Sequence, residues 1–145
     1  MMNDFMELAI NEALKANGEI PVGAVIVKDG KVLSSAYNTK EKDNDITSHA
    51  EILAIRQAEA VLGNWRLDDC DLYVTLEPCP MCGWAILQSR IRCLYFGSYD
   101  TNYGAFFSNF DLRNLAQGTK LKIYGGIKEK ECDKLLNDFF YKIRG

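Results

Sequence analysis

The fold is decided by residues 72–82, which read LYVTLEPCPMC. The apolar run from Leu72 to Leu76 predicts a buried strand. Pro80 predicts the first position of a helix after that strand, because its missing N–H costs nothing there and it keeps Cys79 extended. Cys79 and Cys82 are three residues apart, so one helical turn places both sulfurs on the same face. The N-terminus of a helix also favours the thiolate form that binds metals.

A second motif, His49-Ala50-Glu51, lies thirty residues before Cys79. Thr47 and Ser48 predict the N-cap of a helix that continues to about Leu62 and stops at Gly63. Ser48-x-x-Glu51 is also the pattern of a capping box, which would give Glu51 a structural role without chemistry. On an ideal helix His49 and Glu51 diverge by about 200°, so both reach a common partner only beyond the helix end. One imidazole and two thiolates there would bind zinc and leave a fourth position open to water, the arrangement of a catalytic site.

The other elements follow from apolar periodicity and turn residues. Thr39 to Ile46 is predicted to be a loop, and residues 98–118 give no clear element. We predict helices over 5–16, 79–89 and 128–143, and strands over 22–27, 32–37, 92–96 and 121–124, with a hairpin turn at Asp29-Gly30. The first two strands should be antiparallel, and the later strand and helix alternation predicts parallel pairing with right-handed crossovers. Such a crossover would return His49 and Cys79 to the same end of the sheet, where open sheets bind ligands.

Length and composition restrict the class of protein. With 145 residues, we expect one domain over 1–145. No stretch reaches the roughly 18 apolar residues of a membrane span, and no signal peptide is evident, so we expect a soluble cytoplasmic protein. The five cysteines are an odd number, which argues against a disulfide framework. Cys70, Cys93 and Cys132 are predicted to be small buried side chains.

The net charge is −3, which is not the basic balance typical of nucleic-acid-binding proteins. A basic surface could still form if the cationic side chains cluster around the metal site. Nine residues lie in stretches that could do so: Arg56, Arg66, Arg90, Arg92, Arg113, Lys120, Lys122, Lys142 and Arg144.

The two motifs resemble the signature of zinc-dependent nucleobase deaminases, H-A-E followed by P-C-x-x-C. Further stretches are similar to the bacterial tRNA-specific adenosine deaminases, namely residues 19–27, 37–38, 47–52, 64–67, 72–79 and 138–140. The resemblance implies a cytidine deaminase-like α/β fold, three layers with a five-stranded mixed sheet between helices. It also implies one Zn²⁺ per chain, with His49, Cys79 and Cys82 as ligands, and a homodimer whose site lies near the interface.

The resemblance also implies the reaction. Zinc would activate a water for attack on the ring carbon that bears the exocyclic amine, and Glu51 would carry the proton to the ring nitrogen and then to the leaving ammonia. The substrate would be the anticodon loop of tRNA, where adenosine at the wobble position becomes inosine. The substrate-binding residues would include Asn38, Ile20, Val22, Ala50 and Phe140.

Some alternatives remain open at this point. Asn38 could simply end a strand, because asparagine is common at turns. Residues 100–108 carry Asn102 and Phe106-Phe107, where a lysine-containing, glycine-rich loop is typical of the tRNA enzymes. The substrate could therefore be a free base or nucleoside of the guanine, cytosine, cytidine or adenine type. A non-catalytic zinc-binding module and cysteine nucleophile chemistry, with Cys79 or Cys82 activated by His49, are the alternatives from other classes.

Overall fold

The computed structural model describes residues 2–144, which form five strands and five α-helices around one sheet. The strands are β1 (Gly23–Lys28), β2 (Lys31–Tyr37), β3 (Cys70–Leu76), β4 (Cys93–Ser98) and β5 (Lys122–Tyr124). The helices are α1 (Met2–Ala13), α2 (Lys40–Asp43), α3 (Ala50–Leu62), α4 (Pro80–Gln88) and α5 (Glu129–Arg144), and Leu112–Leu115 forms a 3-10 turn. The α/β prediction is confirmed.

The sheet is mixed, with the strand order β2-β1-β3-β4-β5. β1 is antiparallel to both β2 and β3, whereas β3, β4 and β5 are parallel to one another. The predicted hairpin and the predicted parallel pairs are both present. Because β1 and β3 are antiparallel, Ala24 lies opposite Val74. The beginning of β1 and the ends of β2, β3 and β4 therefore meet at one end of the sheet.

Two helical layers cover the sheet. On one face, α3 and α4 pack against the larger apolar cluster, which includes Ile26, Leu72, Leu94 and Phe96. On the other face, α1 and α5 cover a smaller cluster around Met6, Val25, Tyr73 and Cys132. The central strand β3 contributes to both clusters, as expected for a strand with helices on either side. The predicted three-layer architecture is confirmed.

Two positions of the first hairpin require glycine, one in its turn and one under α1. Asp29 and Gly30 both have positive φ, 51° and 76°, which is the conformation that a two-residue hairpin turn requires. Gly23 begins β1 directly beneath α1. A Cβ at Gly23 would lie 1.9 Å from the carbonyl oxygen of Ala9, so α1 can pack this closely only on a residue without a side chain.

Three predictions about local structure were wrong. Residues 39–46 are not entirely loop, because Lys40–Asp43 forms the single turn α2. The reason is a distant cap: the buried carboxylate of Glu19 accepts the N–H groups of Glu41 and Lys42 at 2.9 and 3.2 Å.

The N-cap of α3 is His49 and not Thr47 or Ser48. The first helix ends at Ala13 and does not reach Ala16.

Within residues 2–144, no helix has the length and apolar character needed to cross a membrane.

Candidate active site

The side chains of His49, Cys79 and Cys82 meet at the sheet end defined by the last residues of β3. His49 is the N-cap of α3 and Cys79 is the N-cap of α4, both with extended backbone. Pro80 occupies the first position of α4 as predicted. The two helices thus begin at the same place, and both N-termini point at the cluster. The crossover through α3 and β3 converts thirty residues of sequence separation into direct contact.

The three ligand atoms fit a tetrahedral metal. His49 Nδ1 lies 3.8 Å from Cys79 Sγ and 3.4 Å from Cys82 Sγ, and the three atoms all lie within 4.8 Å of one another. Typical zinc bond lengths and a tetrahedral angle place sulfur and nitrogen about 3.6 Å apart. The donor set, one imidazole and two thiols, is also the set that zinc prefers. The predicted ligand residues are therefore brought together in a geometry that zinc can occupy.

The surroundings of Cys79 favour the thiolate form of its side chain. A hydrogen bond from the Cys82 thiol lowers the pKa of Cys79 to about 4, and the His49 ring beside it acts in the same direction against the opposing effect of burial. The N-terminal dipole of α4 also favours an anion there. Since the thiolate is the form that coordinates metals, the position of Cys79 favours ligation.

Glu51 is the second residue of α3 and is buried, 4 % exposed. The N-cap of α3 is His49, and the N–H of Ser48 donates to the carbonyl of Asp45, so the Ser48–Glu51 capping box is not formed. Burial raises the pKa of Glu51 to about 7, and the nearby Cys79 adds to the rise. Glu51 lines the same cleft as His49 and Cys79. The structure thus places its carboxylate beside the metal ligands and not in a box with Ser48.

Asn38 supplies the missing cap of α3. Its Oδ1 accepts the N–H of Ala50 at 2.8 Å, and its Nδ2 donates to the carbonyl of Ile20 at 3.1 Å. The side chain therefore links the segment before β1, the end of β2 and the helix that carries Glu51. An amide has two hydrogens and two lone pairs, so one donor and one acceptor position remain for a substrate. Sequence reasoning did not find the capping role, because the donor and the acceptor are twelve residues apart.

A cleft of about 510 Å³ opens beside these groups. Four of the predicted substrate-binding residues line it, Asn38, Ile20, Val22 and Phe140. Ala50 does not, because its side chain is fully buried in the larger apolar cluster. The remaining lining residues are Gly18, Glu19, Lys40, Glu41, His49, Glu51, Leu76, Glu77, Cys79, Asp100, Tyr103, Phe139 and Ile143. Sequence reasoning missed Tyr103 and Glu19, which carry no motif of their own.

The sequence left open whether nine basic residues surround the site, and four of them do not. Arg66, Arg90, Arg92 and Lys120 line a separate cleft of about 660 Å³. Arg92 pairs with Asp71 near the beginning of β3, so this cleft lies at the sheet end opposite the metal ligands. Within the metal-site cleft, Lys40 is the cationic lining residue. Position in the sequence did not predict this, because the first and last residues of one strand lie at opposite ends of the sheet.

The other three cysteines are buried, as predicted, and cannot complete the metal site. Cys70 and Cys93 are the first residues of β3 and β4, at the opposite sheet end from Cys79. Cys132, on α5, packs against Gly97 of β4. Among residues 2–144, His49, Cys79 and Cys82 are the group of potential metal-ligating side chains that converge. The fourth position of a tetrahedral ion would therefore be open.

Residues 1–98 match the family model for the cytidine and deoxycytidylate deaminase zinc-binding region. The chain belongs to this deaminase family. The match covers both motifs and confirms zinc as the cofactor, in agreement with the ligand geometry. It also confirms the predicted enzyme class, a zinc-dependent hydrolytic deaminase, and so rejects the alternative in which Cys79 or Cys82 acts as a nucleophile.

Two tRNA deaminases are similar to nearly the whole chain, and a guanine deaminase is similar to about two thirds of it. A tRNA-specific adenosine deaminase of Agrobacterium fabrum is 46 % identical, covering 97 % of this chain and 94 % of the relative. A solved tRNA:A34 deaminase, studied for A-to-I editing at the wobble position, is 46 % identical with a TM-score of 0.84, covering 92 % of this chain and 99 % of that one. A guanine deaminase of Bacillus subtilis is 43 % identical with a TM-score of 0.65, covering 68 % of this chain and 65 % of that one.

Proposed function

We propose that this deaminase converts adenosine to inosine at the wobble position of tRNA, as a single domain over residues 1–145. One observation carries the proposal: His49, Cys79 and Cys82 converge beside the buried Glu51 in a cleft, within a chain that matches tRNA-specific adenosine deaminases from end to end. The substrate would be the anticodon loop. Because these relatives are bacterial and tRNA acts in the cytoplasm, we assign the protein to that compartment.

Glu51 is the proton carrier of the proposed reaction. His49, Cys79 and Cys82 would hold the zinc ion, which would supply the Lewis acidity that makes a water nucleophilic near neutral pH. Glu51 takes a proton from this water as it attacks the purine carbon bearing the amino group. The carboxyl passes this proton to the ring nitrogen. It then takes the second proton from the hydroxyl now on the ring carbon and gives it to the amine, which leaves as ammonia. Adenosine and one water become inosine and ammonia.

The cleft supplies the contacts that orient the base. Asn38 has one amide hydrogen and one lone pair left, which suit a purine edge that carries both an acceptor and a donor. Ile20 and Val22 provide an apolar wall beside it. Ala50 acts indirectly, because its N–H is bound by Asn38 and its side chain is in the core.

Aromatic side chains at the cleft favour a single-stranded nucleic acid over a free base. Tyr103 is 67 % exposed and Phe140 is 39 % exposed, and both line the cleft. Phe139 contacts Phe140 with ring centroids 5.3 Å apart. Splayed bases of an RNA loop stack on such rings. A free nucleobase would leave these exposed rings without a partner.

We further propose that two copies associate through α4. Met81 and Trp84 are three residues apart on this helix and are 37 % and 42 % exposed. Trp84 lines the larger cleft together with Leu115, which is 72 % exposed. Exposed apolar side chains of this size mark an interaction surface. The same helix carries Cys82, so a dimer formed here would have its active site near the interface.

The second candidate is deamination of free guanine. The observation that favours it is the guanine deaminase that is 43 % identical to this chain. That similarity covers 68 % of this chain, whereas the tRNA deaminases match more than nine-tenths of it. The tRNA substrate is therefore the stronger proposal.

A substrate panel tests the proposal. Ammonia and inosine would be measured with an anticodon stem-loop carrying adenosine at the wobble position, and with free adenosine, guanine, cytosine and cytidine at equal concentration. We expect turnover of the stem-loop alone. A stem-loop with guanosine at that position is the matched control and should be inert. Turnover of free guanine with an unreacted adenosine stem-loop would replace the proposal with the second candidate.

A further inference from the structure

The carboxylate of Glu77 is the centre of a hydrogen-bond cluster just before Cys79. Its side chain is 1 % exposed. It accepts the N–H groups of Asp100, Phe106, Phe107 and Ser108 at 3.1, 3.2, 2.8 and 3.0 Å, and the hydroxyl of Ser108. Every one of these donors belongs to residues 100–108, here called the Glu77 loop.

The Glu77 loop is also pressed against the metal-ligand segment. Ala105 donates its N–H to the carbonyl of Pro78 at 2.9 Å. Gly104 passes so close that a Cβ there would lie 2.4 Å from the carboxylate carbon of Glu77. No side chain larger than hydrogen fits between the loop backbone and this carboxylate. The loop is therefore built around Glu77, and it touches the residue next to Cys79.

The ordered loop presents a wall of the active-site cleft. Asp100 and Tyr103 line the cleft from the loop, and Phe139, Phe140 and Ile143 line it from α5. The carboxylate of Asp100 accepts the N–H groups of Asn102 and Tyr103 at 3.0 and 3.1 Å, which fixes the turn that carries Tyr103. The exposed Tyr103 ring is thus held on a defined backbone, although it lies at the surface.

We propose that Glu77 is a positioning residue that holds the Glu77 loop as the RNA-binding wall of the cleft, with Tyr103 as the surface on which a nucleotide next to the target adenosine stacks. This inference rests on the proposed tRNA substrate. A carboxylate has about four lone-pair sites, and five donors already occupy them, so Glu77 carries no proton for the reaction. A loop ordered before binding also spares the ordering entropy that RNA would otherwise have to offset.

The test compares Glu77→Gln with wild type on the adenosine stem-loop. The variant keeps the size of the side chain but turns an NH₂ group towards backbone N–H donors. We expect KM to rise about tenfold, the cost of losing one base-stacking contact, with kcat and zinc content close to wild type. Hydrogen exchange measured by mass spectrometry should accelerate over residues 100–108 and stay unchanged over α3. Glu131→Gln removes an exposed carboxylate and is the matched control.

Three further variants keep the inference falsifiable if Glu77→Gln fails to fold. Gly104→Ala displaces the loop while Glu77 is intact and should also raise KM, whereas Tyr103→Ala should raise KM without faster exchange, and Tyr103→Phe should restore KM. A fall in kcat at unchanged KM, or unchanged exchange in the loop, would overturn the positioning role. If wild-type protein does not deaminate the stem-loop but deaminates a free base, the proposed RNA substrate is wrong. Hydrogen exchange over residues 100–108 in Glu77→Gln would then still show whether Glu77 orders the loop.

Discussion

Ala50 donates its N–H to Asn38 Oδ1 at 2.8 Å, so the residue that follows β2 caps the helix that carries Glu51. The N-terminal residues of a helix need such a partner, and no local side chain provides one at His49. His49 can therefore direct its ring at the metal. Because Asn38 caps α3, the side chains of His49 and Glu51 can both face the metal site.

Substitution of Asn38 separates capping from base recognition. Asn38→Ala should lower the free energy of unfolding by about 1 kcal/mol, the usual loss for a helix cap, and should raise KM. Asn38→Asp keeps an acceptor for Ala50 and adds a favourable charge at the helix N-terminus, but it loses the donor to the Ile20 carbonyl. Stability should therefore return only in part, while KM stays high. Urea unfolding and steady-state kinetics measure the two effects. Equal KM for Asn38→Asp and wild type would leave Asn38 with the capping role alone.

Substitutions of Glu51 and of the ligands should have different signatures. Glu51→Ala should retain about one zinc per chain but lose turnover by roughly 10³-fold or more, because general acid–base catalysis is removed. His49→Ala and Cys79→Ala should lose the metal itself. Elemental analysis of zinc and inosine formation distinguish the two classes. Full kcat in Glu51→Ala would contradict its assignment as proton carrier.

Gly23→Ala tests the close contact of α1 with β1. The added Cβ would lie 1.9 Å from the Ala9 carbonyl oxygen and 2.6 Å from the Ala13 nitrogen. Both are backbone atoms that cannot swing away, so we expect a loss of about 3 kcal/mol in unfolding free energy. Gly18→Ala is the control, since a Cβ there meets nothing within 4 Å and only the positive φ is strained. It should cost about 1 kcal/mol.

Tyr73 should make stability fall at alkaline pH. Burial raises the pKa of Tyr73 to about 12, against an ordinary value of about 10 in the unfolded chain. Below pH 10 both states keep the proton, so the stabilisation is complete; between about pH 10 and 12 the unfolded state ionises first and stability is lost. Urea midpoints across this window should fall less steeply for Tyr73→Phe. Identical slopes in the two proteins would refute the assignment to Tyr73.

The proposed dimer depends on the apolar surface of α4. Trp84→Glu should place a charge in the interface and give a monomer by light scattering coupled to gel filtration. Leu14→Glu is the control, because Leu14 is 65 % exposed beyond α1, on the other face of the sheet. It should leave the mass unchanged. A monomeric wild-type protein at micromolar concentration would remove the dimer from the proposal.

The local parts of the site were predictable from sequence. Pro80 after Cys79, and Cys82 one turn later, specify a helix start with two sulfurs on one face whatever the rest of the chain does. The strand and helix alternation likewise indicated that the parallel part of the sheet would bring His49 to the same end. The starts of α2 and α3 were not predicted because their capping partners, Glu19 and Asn38, come from elsewhere in the chain.

The sequence by itself therefore predicted His49, Cys79 and Cys82 as candidate ligands, because their spacing and the helix starts around them are local features, and its resemblance to the deaminases predicted the class of fold. Tertiary structure alone decided that Asn38 caps α3, that Glu19 caps α2 and that Glu77 organises residues 100–108. These contacts join residues 12 to 31 positions apart. Such partners are selected by strand order and by which end of the sheet a segment reaches, and no local pattern of side chains encodes that choice.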